Sequence, residues 1–171
     1  MMPDAVPTNA LMQSLYDSSI ATAIRESPTL FPWIESLHVL MIAIVVGTIA
    51  IVDLRLIGVA AHRRGARQLI VDMLPFTWVA FVLAVASGTL LFLSNATGYY
   101  QSLPFRLKLL AIVVAGLNMA VFHLTAYRRI GDWDDRLPPP AAAKVAGVGS
   151  LTLWLLIIFL GRWIGYAYPL A

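Results

Sequence analysis

The residues best suited to chemistry lie in one long apolar run, ESLHVLMIAIVVGTIAIVDLRLIG, at positions 35–58. This run contains Glu35, His38, Asp53 and Arg55. Ionisable side chains are costly in an apolar segment, so they are retained there for a partner or a function. An imidazole can ligate a metal, and a carboxylate beside a cation can relay protons or form an ion pair. The absence of cysteine excludes disulfides, thiolate ligation of haem and thiol catalysis.

The composition indicates that membrane helices position these residues. The 171 residues are 60% hydrophobic and 12% charged, with a mean hydropathy of +0.80, whereas soluble domains carry about 25% charged residues. Nucleic-acid binding is not expected, because the net charge of +3 is small and the basic residues cluster in two short loops. A spanning helix needs about 20 apolar residues. Four segments satisfy this requirement: 33–59, 72–93, 104–127 and 145–166.

The predicted fold class is therefore all-α, with an integral membrane four-helix bundle at 33–171 and an N-terminal segment at 1–32. Within that segment, apolar residues recur at helical spacing over 9–27, which predicts an amphipathic helix at the outer membrane interface. The loop SNATGYYQSLP, between the second and third spans, has no basic residue. The other two loops, together with the inward end of the first span, hold eight of the twelve basic residues: Arg55, Arg63, Arg64, Arg67, Arg128, Arg129, Arg136 and Lys144. The positive-inside rule then predicts that these two loops are cytoplasmic and that both termini face outward. The expected localisation is a multi-pass protein of the bacterial inner membrane, in which the outer side is the periplasm.

The rise of about 1.5 Å per helical residue sorts the ionisable residues into two layers. The outer layer contains Glu35, His38, Arg106, Lys108 and Arg162. The inner layer, about 22 Å deeper, contains Asp53, Arg55 and His123. Fifteen residues separate the outer from the inner member on both the first and the third span, which is close to a whole number of turns. Each span therefore carries its two layers on roughly one face.

The inner layer has two interpretations. Asp53 and His123 lie at one depth, so they can form a structural hydrogen bond, with Arg55 neutralising the carboxylate. The same arrangement can instead serve as a proton relay.

The outer layer holds three cations and one carboxylate, and this excess calls for an anion. Two haem propionates would satisfy it, with His38 as the axial ligand of the iron. His38 and His123 are too far apart in depth to hold one haem between them, so the sixth position would be empty or filled by another residue type. The alternative is that Arg106 and Arg162 extend to lipid headgroups while Glu35 forms an ion pair with Lys108.

The segments LHVLMIAIVVGTI and FRLKLLAIVVAGLN resemble two families of membrane proteins. One is the four-helix protoporphyrinogen oxidase family, which binds haem b, and the other is the copper-resistance CopD-like family. The arrangement of DLRLIG, LKLLAIVVAGLN and GRWIGY is most similar to an uncharacterised bacterial family of four-helix membrane proteins. The oxidase resemblance implies haem b, with His38 as ligand and Lys108 as its companion. The DLRL sequence around Asp53 and Arg55 and the N-terminal segment depart from the oxidase pattern.

These observations lead to one main expectation and two alternatives. The main expectation is a haem b-binding membrane protein that works in electron transfer or oxidation near the periplasmic face, with a redox partner or a second copy of itself. The first alternative is CopD-like copper or ion transport, although Met41, Met119 and His123 are scattered in depth. The second is a cofactor-free subunit of a larger membrane complex. Hydrolytic chemistry is not expected, because no span places a serine or a carboxylate pair beside a base.

Overall fold

The computed structural model describes residues 9–60, 64–134 and 138–167. All regular elements in these ranges are helical, as the sequence predicted. A single 3₁₀ turn occupies Tyr127–Arg129. The α-helices are α1 (Ala10–Tyr16), α2 (Ser19–Glu26), α3 (Leu30–Ile57), α4 (Ala66–Ser94), α5 (Ala96–Gln101), α6 (Leu103–Leu124), α7 (Ile130–Trp133) and α8 (Ala141–Ala167).

Four helical segments are long and apolar enough to cross a membrane: Leu30–Ile57, Ala66–Ser94, Leu103–Trp133 and Ala141–Tyr166. This result confirms the predicted four-helix membrane bundle. Large apolar side chains remain exposed along all four long helices. Such a surface is suited to lipid, because a soluble protein rarely exposes apolar area on this scale.

The four long helices pack in the order α4, α3, α8, α6. Helix α3 packs against both α4 and α8, and α6 packs against α8. Helices α3 and α6 are therefore diagonal to each other, and α4 and α6 share little contact. Two buried apolar clusters hold the bundle together, one around Val45 and Ile157 at mid-length and one around Phe122 and Trp133 near the basic loops.

We name the two ends of the bundle by their short helices. The α5 end comprises α1, α2, α5 and the adjoining ends of the long helices, and the α7 end comprises α7 and the basic loops. At the α7 end, α3 stops at Gly58, whose φ of 87° is left-handed. Its N–H donates to the carbonyls of Leu54 (3.2 Å) and Arg55 (3.1 Å), which closes the last helical turn.

The N-terminal segment contains two helices where the sequence predicted one. The chain breaks at Asp17 and Ser18, because the Ser18 hydroxyl accepts from the N–H of Ala21 (3.3 Å) and so caps a new helix. Helix α2 then packs against α4, and α1 packs against α5. Arg25 fastens the pair, donating to the carbonyls of Tyr16 (2.7 Å) and Ser94 (3.3 Å). The interfacial role of this segment and the periplasmic position of the termini stay predictions.

Candidate functional site

His38 lies on α3 near the α5 end, with its ring turned toward α4. Its Nδ1 is 2.9 Å from the carbonyl oxygen of Ala84 and 3.1 Å from the hydroxyl of Ser87. A carbonyl oxygen can only accept, so Nδ1 carries the proton and donates it. The Ser87 hydroxyl donates to the carbonyl of Leu83 (2.7 Å) and is therefore also free to accept from Nδ1. Nε2 is left as the unprotonated ring nitrogen.

The close approach of the ring depends on Gly88 of α4. A Cβ atom at this position would lie 2.9 Å from Cε1 of His38, which is closer than real Cβ contacts allow. Glycine therefore makes room for the imidazole between α3 and α4. The part of the chain that the structure describes provides no hydrogen-bond partner for Nε2.

Lys108 lies on α6 and extends toward α8, where a second glycine accommodates it. A Cβ atom at Gly161 would lie 3.3 Å from Nζ of Lys108. The ammonium is within electrostatic range of the His38 imidazole, although α3 and α6 do not pack directly against each other. The Lys108 ammonium is poorly solvated, and no carboxylate of the described residues offsets its charge. The two residues that the oxidase resemblance singled out are therefore within electrostatic range of each other, without a direct contact.

The other three residues of the outer layer are exposed. Arg106 donates to the carbonyl of Gln101 (3.3 Å), and Arg162 donates to the hydroxyl of Tyr166 (3.4 Å), over whose ring it lies at 5.0 Å. Both guanidinium groups are thus exposed at the α5 end. Glu35 does not form an ion pair with Lys108, which is half-buried.

Glu35 instead lies within electrostatic range of the Tyr99 phenol of α5. Burial raises the pKa of the Tyr99 phenol, and the negative charge of Glu35 raises it further. The ring of Tyr99 also stacks on Phe105 at 5.6 Å and on Phe92 at 6.5 Å. These contacts make Tyr99 part of an aromatic group that covers the α5 end.

The inner layer differs from its prediction in the role of Arg55. The predicted neutralisation of Asp53 by Arg55 is wrong, because Arg55 points into the loops at the α7 end. Its Nε donates to the carbonyl of Arg64 (2.8 Å), and its Nη2 donates to the carbonyl of Asp134 (3.0 Å). These two hydrogen bonds join the two basic loops, and the Arg55 side chain is buried.

Asp134 completes this junction and was not foreseen from the sequence. Its carboxylate accepts from the backbone N–H of Ala66 and from that of Arg67 (3.1 Å), at the start of α4. A carboxylate at a helix N-terminus satisfies free N–H groups and interacts favourably with the helix dipole. No local pattern could have shown this contact, because 68 positions separate Asp134 from Ala66.

Asp53 and His123 do not form the predicted hydrogen bond within the described ranges. Nδ1 of His123 donates to the carbonyl of Met119 (2.9 Å) in its own helix. Asp53 is only 5% exposed and faces Ser150 of α8, and its Oδ2 has no hydrogen-bond partner. The diagonal placement of α3 and α6 explains the separation, although both side chains line one cavity.

Residues 9–60, 64–134 and 138–167 contain no cluster of three or more His, Asp or Glu side chains that could hold a metal ion. Of the soft ligands considered for copper, Met41 packs against the mid-length core, whereas Met119 and His123 line the cavity. This donor set does not suit a bare metal ion.

The chain belongs to a family of unknown function, DUF6644, whose match covers residues 29–167. The match includes α3 to α8 and leaves α1 and α2 outside it. No curated protein and no solved structure matches the chain. The expected membership of an uncharacterised membrane family is thus supported, and the similarity to the oxidase and CopD-like families stays a prediction.

Proposed function

We propose that this DUF6644 protein binds haem b through His38 at the α5 end and works in electron transfer or oxidation. The observation that carries the proposal is the hydrogen bond from Nδ1 of His38 to the Ala84 carbonyl, which leaves Nε2 unbonded within the described residues. Histidines that ligate metals commonly donate their other ring N–H to a carbonyl in this way. The bond fixes the tautomer and the ring orientation, and it makes the ligating nitrogen more basic.

The second support is the charge beside this imidazole. The Lys108 ammonium is near His38 and is not offset by a carboxylate of the described residues. A cation in a poorly solvated position needs an anion, and a haem provides two propionates. Lys108 would hold one propionate inside the bundle. Arg106 and Arg162, which are exposed at the same end, would hold the other.

Two further residues complete the proposed site in supporting roles. The Ser87 hydroxyl accepts a second hydrogen bond from the Nδ1–H of His38 and so helps to keep the ring in place. Glu35 would balance part of the positive charge at the α5 end. Haem supplies the capacity to accept and release one electron, and these side chains would tune its potential.

The positive-inside rule favours a periplasmic α5 end in a bacterial inner membrane. The described basic side chains near the α7 end include Arg64, Arg67, Arg128 and Arg129, whereas α5 carries none. A haem at the α5 end would then exchange electrons with a periplasmic or membrane partner.

Visible absorption spectra test the proposal. The protein is purified from haem-replete cells, and spectra are recorded oxidised and dithionite-reduced for the unchanged chain, for His38→Ala and for His123→Ala as the matched control. We expect a Soret band in the unchanged chain and the control, and its loss in His38→Ala. A Soret band of equal strength in His38→Ala would refute ligation by this residue. A flat spectrum in all three proteins would refute haem binding and favour a cofactor-free subunit.

A further inference from the structure

The bundle contains a second candidate site, distinct from the His38 region. It is a cavity of about 250 Å³, lined by residues of α3, α4, α6 and α8 in the half of the bundle toward the α7 end. A dry cavity of about 150 Å³ already holds a benzene molecule in an engineered protein. The wall is almost entirely apolar and includes Ile49, Met73, Trp78, Phe81 and Trp154.

Helices α4 and α6 both line the cavity and share little contact with each other, so we place its opening between them. Gly116 of α6 lines the cavity and is itself exposed, and a Cβ atom built on it meets no other atom within 4 Å. This opening lies along segments suited to span the bilayer. A molecule that enters here would come from the lipid phase, so it must be lipophilic.

Asp53 supplies the one carboxyl group of the cavity wall. The side chain is 5% exposed, and its Oδ2 has no hydrogen-bond partner in the ranges that the structure covers. Arg55, the nearest cation along α3, is engaged with loop carbonyls instead. A buried polar atom without a partner costs about 1–3 kcal/mol. A ligand that donates a hydrogen bond to Oδ2 would remove this cost.

Two more polar groups of the wall also present acceptors. The amide nitrogen of Asn118 donates to the carbonyl of Ala146 (3.0 Å), which leaves the amide oxygen as an acceptor. Nδ1 of His123 donates to the carbonyl of Met119, which leaves Nε2 as an acceptor. With ionised Asp53, these three groups would accept. The Ser150 hydroxyl also lines the cavity and faces Asp53, but Oδ2 is still left without a partner among the described residues. The chemistry that complements these acceptors is a hydrogen-bond donor.

We infer that this cavity binds a lipophilic molecule with an apolar tail and a hydrogen-bond-donating head group, a hydroxyl or an ammonium, which donates to Asp53. The tail packs against the aromatic wall and leaves through the opening at Gly116. The site does not depend on haem, because Asp53 lies about 22 Å along α3 from His38. An ammonium would pair with the ionised carboxylate, and a hydroxyl would satisfy either protonation state.

Quenching of tryptophan fluorescence by bromine tests the inference, since the buried Trp154 lines the cavity. The probes are 11-bromo-1-undecanol, 11-bromoundecylamine and, as the probe without a donor, the methyl ether of the alcohol. The full chain is reconstituted in lipid nanodiscs. Trp33→Phe, Trp78→Phe and Trp163→Phe are introduced into every protein tested, because these side chains are 72%, 48% and 51% exposed and would be quenched from outside the cavity.

We expect saturable quenching by the alcohol or the amine. Their affinity should be about tenfold above that of the ether, because one strong buried hydrogen bond contributes about that factor to binding. Asp53→Ala should remove this tenfold preference without blocking the cavity. Gly116→Leu should abolish saturable quenching by closing the opening. Gly47→Leu is its matched control, because Gly47 is also exposed on a long helix with no atom within 4 Å of its Cβ, and it lies outside the cavity.

The relative affinity of the alcohol and the amine identifies the head group. Equal binding of the ether and both donors to the unchanged chain would overturn the role of Asp53. Quenching that never saturates, or that is the same in Gly116→Leu and Gly47→Leu, would overturn the site itself. His38→Ala should bind the probes unchanged, so the haem proposal can fail without affecting this one.

Discussion

The two ends of the bundle treat their charged side chains in opposite ways. At the α7 end, the Arg55 guanidinium donates to two loop carbonyls, and the Asp134 carboxylate accepts from the first N–H groups of α4. At the α5 end, His38 is anchored through one ring nitrogen only, and the Lys108 charge is not offset by any described carboxylate. The hydrogen bonds of the fold satisfy Arg55 and Asp134, whereas they satisfy His38 and Lys108 only in part.

This difference separates structural charges from candidate functional ones. A buried charge whose hydrogen bonds are all made within the fold stabilises that fold, and its removal leaves partners unsatisfied. A charge that the fold leaves unmatched costs stability and persists when a ligand or a reaction requires it. Substitutions at the two ends should therefore differ in what they change, stability at the α7 end and ligand binding at the α5 end.

The largest loss of stability is expected for Arg55→Met. The substitution keeps much of the buried volume but leaves the carbonyls of Arg64 and Asp134 without their donor. Two hydrogen bonds from a charged donor are worth about 3 kcal/mol. Thermal unfolding in detergent measures the change, with Arg162→Met as the exposed control. Equal stability of the two variants would contradict a structural role for Arg55.

A smaller loss is expected for Asp134→Ala. The variant keeps the backbone carbonyl that accepts from Arg55 and removes only the carboxylate that caps α4. Loss of such a cap costs up to about 2 kcal/mol. Asp132→Ala is the matched control, because Asp132 is exposed on the same short helix. Unchanged stability in Asp134→Ala would show that the capping bonds contribute nothing to the folded state.

Gly88→Ala should affect the α5 end specifically. The new Cβ would lie 2.9 Å from Cε1 of His38, so the ring must move away from the Ala84 carbonyl. Overpacking of this kind costs about 1–2 kcal/mol, and it should also lower the haem content of the purified protein. The control is Gly47→Ala, whose Cβ meets nothing within 4 Å. Full haem content in Gly88→Ala would argue against ligation by an anchored His38.

Lys108→Met should change the stability of the haem-free protein by less than about 1 kcal/mol, because the ammonium has no charged partner among the described residues. Haem retention, measured by transfer to an acceptor protein, should fall in the same variant. Lys144→Met, at an exposed position of α8, provides the control for both measurements. A large destabilisation of Lys108→Met without haem would place this residue among the structural charges.

The smallest effect concerns Tyr99 and pH. Burial raises the pKa of the phenol above its usual value of about 10, and Glu35 raises it further. A raised folded-state pKa means that the neutral phenol contributes stability below about pH 10, which is lost as the pH rises through the folded-state value. Absorbance titration near 295 nm, with Tyr99→Phe as the difference reference, follows the ionisation. Glu35→Gln should lower this pKa, and an unchanged titration would mean that Glu35 faces elsewhere.

Several features of the fold were available from the sequence because they are local. The four spans follow from the length of the apolar runs. The common level of His38 and Lys108 follows from the fixed rise of a helix, once the direction of each span is known. These properties need no information about which helices are neighbours.

The rotation and the neighbours of each helix were decided only by the tertiary structure. Helix α3 meets α4 and α8 instead of α6, so His38 is anchored on Ala84 while Asp53 and His123 remain separate. The physical reason is that helices apolar on every side carry no stripe that marks the face toward a neighbour, since lipid and helix surfaces are equally apolar.

Contacts between residues distant in sequence could not be predicted either. The break at Ser18 and the docking of Arg25 on Ser94 depend on surfaces that exist only after the bundle forms. The sequence by itself determined a four-span membrane protein with charges at two depths. The tertiary structure decided which of those charges the fold satisfies, because hydrogen bonds such as those of Arg55 depend on loops that meet only in three dimensions.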